Sequence, residues 1–104
     1  MNPQSLAKVS THGTVNINQI MQLAALRIAS TIETLTERGF VVIGIEFSNG
    51  SKPTIQIQTC SDCARMVEAG EATYYRTGIE GNSRYRTGQF KVGDVRVLWT
   101  EHGH

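Results

Sequence analysis

The chain has 104 residues, 39% of them apolar, with 10 Lys+Arg against 9 Asp+Glu and a net charge of +1. That length sets one domain, large enough to bury a core without staples, and the modest apolar content implies that one wall of the core is a half-exposed sheet. So even a charge balance excludes a polyanion mimic and a strongly basic nucleic-acid coat.

Residues 1–15 are polar, carry Pro3 and Gly13 with scattered Leu6 and Val9, and read as an N-terminal arm. The domain is expected over residues 16–101, with a short tail at 102–104. Asn16 stands where an N-cap is wanted, and Gln19 follows at capping-box spacing. Ile17, Ile20, Met21, Ala24, Ile28, Ile32 and Leu35 then fall on one stripe at a 3.6-residue period, and Arg38-Gly39 supplies the stop. The pattern predicts a helix over 17–38. Leu23 and Leu26 lie off the stripe, beside Gln19, Ser30, Glu33 and Glu37. They are either the edge of a wide buried face or a small patch for a partner or a second copy.

Val41, Ile43, Ile45 and Phe47 alternate with Val42, Gly44, Glu46 and Ser48, and Asn49-Gly50 signals a hairpin. The returning strand follows Pro53, with Ile55, Ile57 and Thr59 alternating with Thr54, Gln56 and Gln58. The helix stripe is expected to cover this hairpin. Cys60–Gly70 reads as a short helix capped by Ser61 or Asp62, packed through Met66 and Val67 and ended by Gly70. Three β-like runs complete the chain, at 72–79, 83–92 and 95–100, separated by Glu80-Gly81-Asn82 and Gly93-Asp94. Trp99 is expected to point inward, and the polar end from Glu101 to fray. The fold class is α+β, with one long helix on a mostly antiparallel sheet of four to five strands.

Three groups of residues invite a chemical reading. Cys60-Ser61-Asp62-Cys63 places a CxxC where a strand gives way to a helix N-terminus, a position that lowers thiol pKa values. The βαβ setting of a thioredoxin is missing, and a structural zinc needs four ligands where only Cys60 and Cys63 are at hand. His12, His102 and His104 could complete such a site only if both termini folded back together. Two partly buried thiols beside a turn is the plainer alternative.

The second group is the Tyr/Arg band of the last hairpins: Tyr74, Tyr75, Arg76, Arg84, Tyr85 and Arg86, with Lys91 and Arg96 beyond. Register decides its meaning. A three-residue turn sets Arg76 against Arg86, a like-charge pair that wants an anion between its members. A two-residue turn sets Arg86 against Thr77 and Arg84 against Ile79. Tyrosines beside arginines also suit stacking on unpaired bases. The ordinary alternative is a solvated sheet face whose arginines pair with Glu46, Glu68 or Glu71.

The third group would be an active site. Acid–base chemistry needs a histidine or paired carboxylates held in a pocket, whereas all three histidines lie in the arm or the tail and the acids are scattered. No nucleophile motif or phosphate loop is present in the sequence. No enzyme activity and no cofactor are expected.

The run from Met66 to Glu101 carries Ala72, Tyr75, Arg76, Gly81, Arg84, Tyr85, Arg86, Gly93, Val97 and Trp99 at spacings similar to those of small uncharacterised phage- and prophage-encoded proteins. The likeness covers residues 38–101, and its motif is tied to no known chemistry. It implies origin in a mobile element and transfers no catalytic residue.

The apolar run Phe40–Ile45, broken by Gly44, is too short for a bilayer, and MNPQSLAKVS lacks the basic-then-apolar order of a signal peptide. The expectation is a cytoplasmic binding module, a monomer or weak homodimer, with no membrane contact. It would meet a protein partner through Tyr74, Arg76, Arg84, Tyr85, Arg86 and Arg96. Weak single-stranded nucleic-acid binding by the same residues comes second, and a zinc- or thiol-dependent role for the CxxC third.

Overall fold

A computed structural model describes residues 16–47 and 52–103. Helix α1 runs Asn16–Glu37, followed by β1 (Val42–Glu46), β2 (Thr54–Ile57), α2 (Ser61–Glu68), β3 (Thr73–Glu80), β4 (Ser83–Val92) and β5 (Val95–His102). The five strands form one sheet in the order β1-β2-β5-β4-β3. Three neighbouring pairs are antiparallel, and β2 pairs with β5 in parallel. The sheet is therefore mixed, with β5 at its centre and β1 and β3 at its edges. Among the described residues no helix is long and apolar enough to cross a membrane.

Local chemistry sets the element ends. Gly39 has φ 86°, the Gly39 amide donates to Thr36 O, and the Phe40 amide donates to Leu35 O. This is the Schellman arrangement, in which only glycine takes the left-handed position without cost, and Phe40 and Leu35 close it with an apolar contact inside the core. Gly70 (φ 77°) ends α2 the same way, through Gly70 N to Val67 O and Glu71 N to Met66 O. The expected side-chain cap of α2 is absent. Cys60, not Ser61 or Asp62, holds the N-cap position, and it makes no side-chain capping bond. At the other end of α1 the regular structure begins at Asn16 itself, and the residues that would precede a cap lie outside the described ones. The same is true of the 1–15 arm, the Asn49-Gly50 turn and His104.

The β3–β4 and β4–β5 hairpins turn on two residues each, with Glu80 opposite Ser83 and Val92 opposite Val95. Gly81 and Gly93, both at φ 61°, occupy the first turn position, where the right-handed strand twist favours a positive φ.

Both helices cover one face of the sheet. The core there is built from Ile28 and Leu35 of α1, Cys63 and Met66 of α2, and Ile55, Ile57, Phe90, Val95, Val97 and Trp99 of the sheet. A chain of rings runs through it, with centroids 5.7 Å apart for Phe40–Phe90, 6.3 Å for Phe90–Trp99 and 6.0 Å for Tyr74–Trp99. Trp99 lies flat across Gly88 on the neighbouring strand, in space that any Cβ at position 88 would occupy.

Two expectations about α1 need correction. The helix lies closest to β5 and shares one core with Ile55 and Ile57 of β2, while Ile43 and Ile45 of β1 stay exposed, so it covers only part of the β1–β2 hairpin. Only Ala24, Ile28, Thr31 and Leu35 are buried along it, while Ile17, Ile20 and Met21 are exposed. The reason is geometric. Arg27 sits 3.5 Å from Asp94 in the β4–β5 turn, which marks an end of the sheet, and in the part of α1 before Arg27 only Ala24 is buried. Leu23 and Leu26 are exposed as well, at 53% and 67%, so they are not the margin of the buried face. The tail also differs from expectation: β5 continues through Glu101 and His102, and the Gly103 amide donates to Arg84 O at 2.8 Å. Ladder bonds and the burial of Glu101 hold in place what composition alone reads as frayed.

Candidate functional site

Register assigns the Tyr/Arg band to two different faces. The β3–β4 ladder sets Thr77 against Arg86 and Ile79 against Arg84, the arrangement of a two-residue turn. A bulge between Tyr74 and Arg76 inserts Tyr75 into the β3 ladder. Residues on either side of a bulge lose their common face. Tyr74, Arg84 and Arg86 therefore lie on the helix-bearing side, while Tyr75, Arg76, Tyr85 and Arg96 lie on the open side. The six residues expected to meet a partner, Tyr74, Arg76, Arg84, Tyr85, Arg86 and Arg96, therefore do not share one face.

On the helix-bearing side, Glu101 collects three donors. Trp99 Nε1 donates to Oε2 at 2.8 Å, Tyr74 Oη donates to the same oxygen at 2.9 Å, and Arg86 Nε donates to Oε1 at 2.9 Å. The Arg86 guanidinium also stacks over the Tyr74 ring, 4.0 Å from its centroid. Burial pushes the Glu101 carboxyl up, but the bonds from Trp99, Arg86 and Tyr74 outweigh it and hold the group below its ordinary value. Burial and the bond to Glu101 push the Tyr74 phenol up. Two donors fill Oε2 and one engages Oε1, and by joining side chains of three strands the cluster reads as an anchor between β3, β4 and β5. Trp99 and Glu101 share a face by strict alternation, so a charge on the core side of a strand was the signal in the sequence for this network.

The CxxC adjoins the same core. Cys60 is exposed, Cys63 is fully buried, and their sulfurs are 3.8 Å apart. Burial pushes the Cys63 thiol up to about 12. Among the described residues no group of three or more His, Cys, Asp or Glu could hold a metal ion. His102 is on the open face with its ring against Tyr85, centroids 6.4 Å apart, directed away from both cysteines.

The open face has two halves. Over β1, β2 and β5 runs a groove of about 340 Å³ lined by Ile43, Gln56, Gln58, Leu98, Thr100 and His102. Over β3, β4 and β5 lie Tyr75, Arg76, Tyr85, Gln89, Lys91 and Arg96. Arg96 donates to Gln89 Oε1 at 2.7 Å and stacks over Tyr75 at 4.6 Å; Arg76 stands over Tyr85 at 5.9 Å. Lys91 is directly opposite Arg96 in the β4–β5 ladder. The salt bridges among the described residues are Arg27–Asp94, Arg65–Asp62 and Arg86–Glu101, so none neutralises Arg76, Lys91 or Arg96. Pairing with Glu46, Glu68 or Glu71 does not occur. The like-charge juxtaposition that a three-residue turn would set at Arg76 and Arg86 does not form, and one stands instead at Lys91 and Arg96.

A family model described as "Uncharacterised protein" matches residues 6–102, and the chain belongs to that family. No curated protein and no solved structure matches it.

Proposed function

We propose that this family member is a non-enzymatic cytoplasmic binding module whose open sheet face docks an acidic protein surface. One observation carries the reading. Lys91 and Arg96 face each other across adjacent strands with Arg76 on the same face, and among the described residues no carboxylate forms an ion pair with any of the three. Like charges directly across a ladder repel, and a partner's carboxylates would relieve that repulsion. The adjoining groove, with Ile43 and Leu98 beside glutamine amides, supplies the apolar contact that a protein interface needs next to its tyrosines and arginines.

Single-stranded nucleic acid is the second reading, since the same cations would meet phosphates. The rings favour the protein. Tyr75 and Tyr85 each already carry a guanidinium over the ring, which leaves less aromatic face for stacking on bases. The resemblance over residues 38–101 adds origin in a mobile element to this reading.

Affinity capture from lysate with the wild type, Arg76→Glu/Arg96→Glu and Arg84→Glu tests it. The expected partner survives nuclease treatment, weakens with salt, is kept by Arg84→Glu and is lost by the double reversal. Capture that ignores the double reversal, or that disappears with nuclease, overturns the reading.

A further inference from the structure

We propose that Cys60 and Cys63 form a dithiol site that undergoes reversible thiol–disulfide exchange with small disulfides of the glutathione class. Cys60 is the sulfur that meets the reagent, and Cys63 the one that closes the intramolecular bond.

The geometry is that of a poised pair. The two Sγ atoms are 3.8 Å apart, so closing to a bond of about 2.05 Å moves each sulfur by roughly 1 Å. Cys60 is exposed and sits at the N-cap of α2 with extended backbone (φ −155°, ψ 173°), its carbonyl accepting from the Cys63 amide at 3.0 Å. Its sulfur makes no capping bond, so it can swing toward Cys63 without breaking one. Cys63, one turn on, is held in the core by Met66, Trp99 and their neighbours, and its sulfur is shielded from any reagent in solution. Exposure and burial thus divide the two roles between the two thiols. The two sulfurs lie close enough for sulfur–sulfur chemistry between them.

The exchange balances. The Cys60 thiolate attacks one sulfur of R–S–S–R, forming a mixed disulfide and expelling R–S⁻. Cys63 gives up its proton and attacks the Cys60 sulfur, expelling the second R–S⁻. Both departing thiolates take up protons, so one small disulfide is reduced to two thiols while the protein dithiol is oxidised to one disulfide. Burial makes the Cys63 thiol a weak acid, so closure is the slow step and the mixed disulfide on Cys60 has a lifetime.

The test treats the full reduced chain with oxidised glutathione and follows intact mass and the peptide that carries both cysteines. The expected product is lighter by two hydrogens, carries no glutathione at the end point and returns to the dithiol with excess reductant. Closure should accelerate roughly tenfold per pH unit between about pH 7 and 9, following the thiolate fraction of Cys63. Cys63→Ser should stop at a stable glutathione adduct on Cys60; Cys63→Ala serves the same purpose if a buried hydroxyl is not tolerated. Cys60→Ser should remain unmodified while folded. A native chain that keeps glutathione on Cys60 without closing, or that takes up none, overturns the proposal.

Discussion

Replacing Glu101 with Gln probes the network that ties β3, β4 and β5 together. The carboxylate accepts from Trp99 and Tyr74 at one oxygen and from Arg86 at the other. A carboxamide has one accepting oxygen and one donating NH2. Whichever way it turns, its NH2 meets either the Arg86 or the Trp99 N–H, and the charge is gone. Tyr74 and Arg86 are only partly buried and can turn to water, but Trp99 is 1% exposed and its N–H cannot. With one of the three charge-assisted bonds lost and the other two weakened, and Tyr74 and Arg86 regaining bonds to water, the cost comes to about 2–3 kcal/mol, or roughly 10–20 °C in Tm for a chain of this size. Urea unfolding followed by the emission of Trp99, the single tryptophan, reads this directly. The pH dependence has a definite sign. The folded Glu101 pKa lies below its ordinary 4.5, so the stabilisation is present above 4.5 and is lost as pH falls through the lowered value. The gap between wild type and Glu101→Gln should therefore hold steady from about pH 7 to 5 and narrow below 4.5. A loss under about 0.5 kcal/mol at neutral pH, the range of an ordinary surface substitution, would refute the network's structural weight.

Other substitutions separate packing from binding. Gly88→Ala drives a methyl group into the Trp99 ring and should cost about 1–3 kcal/mol in chemical denaturation. Leu35→Ala, at a fully buried position, should cost about 2–5 kcal/mol, while Leu26→Ala, at an exposed one, should stay within about 0.5 kcal/mol; thermal melts of the pair check where α1 leaves the sheet. Lys91→Glu converts the like-charge pair with Arg96 into an attractive one. It should raise stability by about 0.2–1 kcal/mol while weakening capture of the acidic partner, a trade-off visible by comparing melts with pull-downs.

The elements whose chemistry is local were legible in the sequence. Helix α1 follows from its apolar period and the Arg38-Gly39 stop, and the β3–β4–β5 meander from alternation interrupted by Gly81 and Gly93. Pairing between distant strands was not. Nothing in the period-2 patterns of β2 and β5 states that Thr54 lies beside Arg96 in parallel, because alternation encodes which face is buried and not which neighbour is bonded. Likewise the stripe of α1 names the inward face but not where the sheet beneath it ends, so Ile17, Ile20 and Met21 look buried in the sequence and are exposed in the fold. The candidate site was half legible: its residue types were evident, but one extra residue at Tyr75 redistributes them between two faces. Glu101 was missed because its polar neighbours resemble a fraying end, although its alternation with Trp99 points to the core.

The most direct test of the open-face account is site-specific photo-crosslinking in lysate, with the photoreactive residue at position 75 in one variant and at position 26 in another. Position 75 should give a nuclease-resistant protein adduct that fades with salt and is lost when Arg76→Glu/Arg96→Glu is added. An adduct from position 26 with none from position 75 would move the working surface to α1 and contradict the account.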